Sequence, residues 1–179
     1  DRADMLVVTA DLLEKHKTDL MNILIKEAGK SWSDANDEVR EAVDFCRYYA
    51  AQARKMMSEP IDLPGPVGET NQLSYGSRGT FVCISPWNFS LAIFTGQVAA
   101  ALVVGNCVLA KPAEQTPRIA QRTTELFYEA GVPKEVLSLI IGDGKIGGYL
   151  TAHDGVDGVA FTGGTNTAGL INKTLANKE

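Results

Sequence analysis

The sequence is poor in the residues that build metal centres and disulfide frameworks. Its 179 residues include two histidines and three cysteines. His16 and His153 lie far apart, and Cys46, Cys83 and Cys107 follow no ligand spacing, so no metal site is expected. Three thiols cannot all pair with one another, and a reduced, cytoplasmic setting fits them best. A basic excess is also absent. The formal net charge of -5 argues against a protein that tracks nucleic-acid phosphates, which needs basic stripes. No run reaches the roughly 18 consecutive apolar residues of a membrane span. The longest candidate, over residues 91–104, is broken by Thr95, Gly96 and Gln97 and reads as a buried helix. The opening Asp1-Arg2-Ala3-Asp4 lacks the basic stretch and apolar block of a secretory signal. Residue 1 is not Met, so a start inside a longer reading frame or after processing is expected.

What is present can build a core, since 45% of the residues are hydrophobic and 22% charged, close to globular averages. From about residue 4 to 57 the pattern is helical. Leu13, Leu20, Ile23 and Leu24 recur at helix spacing up to Gly29, a plausible stop. Ser33 is expected to cap a second long helix, with Asp34 and Asp37 in its first turn. Along it, Ala42, Phe45, Cys46, Tyr49, Ala50 and Ala53 form one apolar stripe that must pack on something. Residues 60–79 are punctuated by proline and glycine and read as a loop with short extended pieces.

A strand over 80–84 follows, then a helix over about 89–104. After that the chain alternates: strand 107–110, helix 117–130, strand 136–141, helix 146–152, strand 156–162, helix 165–176. Three β-then-α units in a row argue for a parallel sheet with helices on its faces. The expected fold is therefore α/β: an N-terminal helical segment (1–58), a linker (59–79), and a partial Rossmann-like domain (80–179).

Several turns between these elements carry residues suited to ligands. In Phe161-Thr162-Gly163-Gly164-Thr165 a strand ends, two glycines follow and a helix begins. Free N–H groups there favour a phosphate, although an ordinary tight turn reads the same way. Gly142-Asp143-Gly144-Lys145-Ile146-Gly147 matches G-x-G-x-x-G literally. It lies on the second unit, and Asp154 and Asp157 come too early to be the ribose acid, so a plain turn is the better reading. Lys111 ends a strand, where open α/β sheets bind ligands, with Glu114 on the following turn. The two can reach ribose hydroxyls or form a solvated ion pair. A negative Glu114 would disfavour a 2′-phosphate. Asn88 can stabilise an oxyanion, cap the helix expected at Phe89, or do both.

Four of these motifs occur in order: Ile84-Ser85-Pro86-Trp87-Asn88-Phe89, Lys111-Pro112-Ala113-Glu114, Gly142-Asp143-Gly144 and Phe161-Thr162-Gly163-Gly164-Thr165. Together they resemble the aldehyde dehydrogenase superfamily over essentially the whole chain. Three further segments resemble the Δ1-pyrroline-5-carboxylate dehydrogenases and the matching part of bacterial bifunctional proline utilization A proteins. They run from Glu38 to Ala50, from Leu63 to Glu69 and from Ala113 to Pro117.

The resemblance implies an NAD-dependent oxidation of L-glutamate γ-semialdehyde to L-glutamate, with FAD only in a proline dehydrogenase unit upstream if the parent protein is bifunctional. By position, Asn88 is implied as the oxyanion amide that steadies the thiohemiacetal. Ile84, Ser85, Pro86 and Trp87 line the cofactor, and Lys111 and Glu114 contact the adenosine ribose. Gly144 and Thr167 lie near the adenine, Phe161 lines the cofactor site, and Gly163 and Gly164 sit at the pyrophosphate. One departure is Gly164, where the family usually has a serine hydroxyl on the pyrophosphate, a loss of order 1 kcal/mol.

The family's catalytic cysteine and glutamate are expected downstream. Cys46, on the helix stripe, and Cys83 and Cys107, inside strands, read as buried, inert thiols. The segment alone is expected to be inactive and to aggregate or be loosely ordered. In a full-length enzyme its partners would be the aldehyde, the remainder of the polypeptide and further copies in a homo-oligomer. Dehydrogenation of another aldehyde, a non-catalytic NAD-binding module, and a helix-docking protein using the Ala42–Ala53 stripe are the other readings the residues allow.

Overall fold

The N-terminal apolar periodicity folds as three helices, α1 (Arg2–Lys15), α2 (Lys17–Ala28) and α3 (Trp32–Met57). The structure, a computed structural model, describes residues 1–178. The break between α1 and α2 falls at His16, whose N–H closes α1 on Leu12 O and whose carbonyl accepts the first bond of α2 from Leu20 N. Gly29 ends α2 with φ 66, a left-handed conformation that glycine adopts without strain. The cap of α3 is Ser31 rather than Ser33, because only Ser31 lies three residues before the Asp34 N–H that its side chain accepts. The expected stripe on α3 is inward: Ala42, Cys46 and Ala50 are buried, and Phe45, Tyr49 and Ala53 half-buried. It packs on α1 and α2, and on a helix of the sheet domain. Leu13, Leu20 and Leu24 are fully buried in the same core. Truncating any one to alanine costs about 2–5 kcal/mol in such settings.

The punctuated stretch forms a two-stranded antiparallel arm, β1 (Ile61–Leu63) and β2 (Asn71–Leu73). Four β–α units follow: β3 (Thr80–Ile84) with α4 (Ala92–Val103), β4 (Cys107–Lys111) with α5 (Pro117–Glu129), β5 (Leu137–Leu139) with α6 (Gly144–Ala152), and β6 (Gly158–Phe161) with α7 (Thr165–Ala176). The strands are parallel in the order β5-β4-β3-β6. The sheet thus has four strands, with β3 inside it. The chain winds outward from β3 to β4 and β5, then crosses back to place β6 on the other side of β3. Right-handed crossovers put α4 and α5 on one face and α6 on the other.

The packing follows this reversal. The large core joins α1–α3 to α4, α5 and one face of the sheet. A smaller cluster of Val82, Leu150 and Val156, flanked by Ile84, Leu109, Ile140 and Val159, fills the α6 face. In open α/β sheets the ligand crevice lies at the carboxyl ends of the strands where the order reverses, here between β3 and β6. Among the described residues no helix is long and apolar enough to cross a membrane.

Candidate functional site

Three of the expected site residues share one row at the carboxyl edge of the sheet. Ile84 is in register with Lys111 on one side and Phe161 on the other. Beyond this row the strand ends are tied together. Ser85 N donates to Lys111 O at 3.2 Å and Thr162 N to Ile84 O at 3.1 Å. From α4, Gln97 Nε2 donates to Ile84 O (3.3 Å) and Thr162 Oγ1 (3.1 Å), bridging the crevice. The Ser85 hydroxyl and Gln97 Oε1 are buried without a hydrogen-bond partner among the described residues. Past Ser85 the chain leaves the sheet: Pro86 is half-buried, and Trp87 and Asn88 are exposed.

The helix that follows begins at Ala92, not Phe89, and Asn88 does not cap it. Residues 88–91 form a turn, and the cap comes from a distant residue. Glu38 of α3, fully buried, accepts from Leu91 N at 2.7 Å and Ala92 N at 3.4 Å through Oε1. Its Oε2 faces Lys30 Nζ at 3.1 Å, an ion pair without hydrogen-bond alignment. Glu27 of α2 does the same for α5, accepting from Arg118 N (2.8 Å) and Ile119 N (3.0 Å). Asp143 caps α6 through Lys145 N and Ile146 N.

Carboxylates therefore occupy the positive N-terminal poles of α4, α5 and α6. Of the four helices that follow sheet strands, α7 alone has no side chain on its first N–H groups among the described residues: its N-cap is Gly164, and residues 162–167 are exposed. A helix start of this kind accepts an anion. Asp143 closes the G-x-G-x-x-G turn to phosphate, and Asp157 holds Thr80 N at 2.7 Å, so both support the plain-turn reading. Replacing Glu27 with alanine leaves two N–H groups of α5 without their cap. That change is expected to cost about 1–2 kcal/mol in denaturant unfolding. An unchanged midpoint would mean that water replaces the carboxylate at no loss.

Lys111 is 4% exposed, so the solvated ion-pair alternative does not hold. Its Nζ donates to Pro112 O at 3.0 Å, and no ion pair with Glu114 forms among the described residues. Burial pushes the Lys111 ammonium below its ordinary pKa, with Glu114 and Asp143 opposing. Its stem passes under α6, since a Cβ at Gly147 would sit 3.5 Å from Lys111 Cδ and Cε. Glu114, Gly144 and Thr167 are exposed on the rim. Gly163 lies close over the Phe161 ring, where a Cβ would come within 2.6 Å of Cζ.

Burial raises the Cys46 and Cys83 thiols to about 12, so both stay protonated near neutral pH. Cys107 is exposed, contrary to the expectation of a buried thiol, because it opens β4 at the sheet's outer end. Four residues of strand, roughly 13 Å at 3.3 Å each, separate it from Lys111.

Sequence reasoning did not single out Glu27, Lys30, Glu38 or Gln97 for any role, nor Asp143 as a cap. Two signals were available. Asp143 precedes a helix start, the favoured place for an Asx cap. Glu38 lies on the same helix face as Ala35, Val39 and Ala42, where a charge needs a partner.

The aldehyde dehydrogenase family model matches residues 1–179. The bifunctional protein PutA of Escherichia coli (strain K12) is 49% identical over 99% of the chain, which spans 13% of that protein. A 1-pyrroline-5-carboxylate dehydrogenase of Anoxybacillus flavithermus is 44% identical over 90% of the chain, and the aligned stretch is 32% of that enzyme. A solved structure of proline utilization A from Bradyrhizobium japonicum superposes with a TM-score of 0.97 and 55% identity, covering 99% of this chain and 18% of that one.

Proposed function

The chain belongs to the aldehyde dehydrogenase family, and on that premise we propose that it supplies the NAD-binding surface and oxyanion amide of an L-glutamate γ-semialdehyde dehydrogenase. The aldehyde product of proline oxidation would be its substrate and L-glutamate its product. The observation that carries the reading is the open pole of α7, uncapped among the sheet helices of the described residues and beside the crevice where the strand order reverses. The buried, unpartnered Ser85 hydroxyl and Gln97 carbonyl oxygen in the same crevice also fit a polar ligand.

In this reading the N–H groups around Gly163, Gly164 and Thr165 hold the pyrophosphate. Lys111 and Glu114 bind the adenosine ribose, and Lys111 Nζ has two further donors beyond its bond to Pro112 O. Gly144 and Thr167 flank the adenine, and the backbone of residues 84–87 runs along the cofactor above Phe161. NAD, when bound, supplies the hydride acceptor. Asn88 donates its amide N–H to the oxygen that gains charge when a thiolate attacks the aldehyde. The thiolate and the base that activates the deacylating water come from the remainder of the polypeptide.

The test is NAD⁺ reduction by the full-length gene product with L-glutamate γ-semialdehyde and with other aldehydes. Turnover of that semialdehyde in preference to the others supports the reading. Preference for another aldehyde moves the substrate assignment, and the absence of NAD⁺ reduction with every aldehyde sinks the enzyme reading. The carboxylate of Glu114 should exclude NADP, and Glu114→Gln should narrow the NAD preference by roughly tenfold, the effect of about 1.4 kcal/mol. An unaltered NAD-to-NADP ratio of kcat/KM would remove Glu114 from the ribose site.

A further inference from the structure

We propose that Lys30 and Glu38 position Asn88 for catalysis, an inference that rests on the oxyanion role given to Asn88 above. Among the described residues the Asn88 side chain makes no hydrogen bond, and it is exposed. The backbone of the turn at residues 88–91 therefore sets where its Cα–Cβ bond starts and points. That turn is pinned on its downstream side by two groups from the helical layer. Glu38 Oε1 holds Leu91 N at 2.7 Å and Ala92 N at 3.4 Å. Lys30 Nζ, 3.1 Å from Glu38 Oε2, also lies 4.3 Å from the centroid of the Phe89 ring. The pair thus grips Phe89 and Leu91 on either side of Ser90, whose side chain is buried. Upstream, Ser85 N and Ile84 O are held by Lys111 O and Gln97 Nε2. Asn88 sits on the free arc between two fixed points.

The charges are not explained by stability. A buried ion pair is commonly no more stabilising than apolar residues of the same volume. A neutral amide at position 38 keeps an oxygen for the two N–H groups of α4, with weaker hydrogen bonds than the carboxylate makes. What the ion pair adds is a cation over residue 89, next to Asn88, held by the same carboxylate that caps the helix. A displacement of about 1 Å at a catalytic group can cost on the order of a hundredfold in rate.

The experiment uses the full-length enzyme and compares Lys30→Met, Lys30→Arg and Asn88→Ala, each with steady-state kinetics and a thermal melt. The Lys30→Met change should lower kcat about tenfold while KM for the aldehyde and the NAD Kd stay within about twofold. Arginine at position 30 keeps the cation over the ring and should restore kcat to within about twofold. In the Asn88→Ala background, Lys30→Met should have no further effect on kcat, because both act through one amide.

If Lys30→Met leaves Glu38 uncompensated and the enzyme fails to fold, the double change Lys30→Met/Glu38→Gln removes both charges and keeps the cap. The same kcat loss is then expected. A lowered melt with unchanged kcat per folded enzyme would make the pair structural only and overturn the proposal. If Asn88→Ala itself leaves kcat unchanged, the oxyanion reading falls and this proposal with it. A large Asn88→Ala effect without one at Lys30 overturns the positioning role alone.

Discussion

Replacing Asn88 with alanine in the full-length enzyme is expected to lower kcat by roughly a hundred- to a thousandfold, the usual effect of removing one preorganised oxyanion donor. The size follows from where the charge develops. A ground-state carbonyl oxygen carries little charge, so the amide adds little to aldehyde binding. The oxyanion formed on attack is a much stronger acceptor, and a lost donor then costs about 2.7–4 kcal/mol. KM for the aldehyde and Kd for NAD should accordingly shift little, which separates this loss from one of uniform binding. The geometry also bears on the fold: Asn88 does not cap α4, whose N-terminus is closed by Glu38. The alanine variant should therefore melt with wild-type behaviour. Asn88→Asp should be at least as damaging, since a carboxylate opposes the developing charge. A kcat within threefold of wild type for Asn88→Ala would remove Asn88 from the reacting centre; about threefold is under 1 kcal/mol.

The elements legible in the sequence were those with strong local period. The strand over 80–84 and the helix over 165–176 have the expected bounds, because short apolar runs and helix stripes flanked by glycine read locally. The strands expected over 136–141 and 156–162 are longer than β5 and β6, and the one expected over 107–110 stops a residue short of β4. β5 spans Leu137–Leu139; Val136 O and Ile140 N still bond β4 at its two ends, and Ile141 lies beyond. Apolar residues flanking a strand cannot be told from the strand itself by pattern. Strand order was beyond reach, since nothing local states that β6 returns to the far side of β3. Yet that return creates the crevice.

The site was half legible for the same reason. Ile84, Lys111 and Phe161 were expected at strand ends and fall into one row across the sheet. The residues that close the helix poles act over separations of 53 and 91 residues, from Glu38 to Leu91 and from Glu27 to Arg118. No window along the chain couples them. The ion-pair reading of Lys111 failed because exposure is a tertiary property: the glycine at 147 lets the lysine stem run beneath α6. Without that packing, a strand-end lysine followed three residues later by a glutamate does look like a surface pair.

The open pole of α7 leads to the second large expected effect. Gly164→Asp should weaken NAD binding by about a hundredfold while leaving the fold as stable or slightly more so. Gly164 has φ -72 and ψ 148, ordinary extended backbone for any residue, and a Cβ there meets nothing within 4 Å. An aspartate can therefore enter without strain and cap α7 as Asp143 caps α6. Caps of this kind replace glycine with a gain of a few tenths of a kcal/mol. For the cofactor the same carboxylate is a like charge beside the pyrophosphate. Two unit charges about 4 Å apart at a partly exposed site interact by ~4 kcal/mol before screening. Salt and water leave part of that, and about 2.7 kcal/mol is a hundredfold in Kd.

Gly164→Ser is the matched control. Its hydroxyl caps the helix without charge and offers the pyrophosphate a donor, so NAD affinity should rise several-fold, the effect of about 1 kcal/mol. Calorimetric titration of the full-length protein with NAD⁺ reads both changes, and denaturant unfolding reads the cap. Opposite signs for aspartate and serine, with both variants at least as stable as wild type, are what a phosphate at this pole requires. Equal NAD affinities in all three proteins would move the pyrophosphate elsewhere, and the reading built on the open pole of α7 would fail with it.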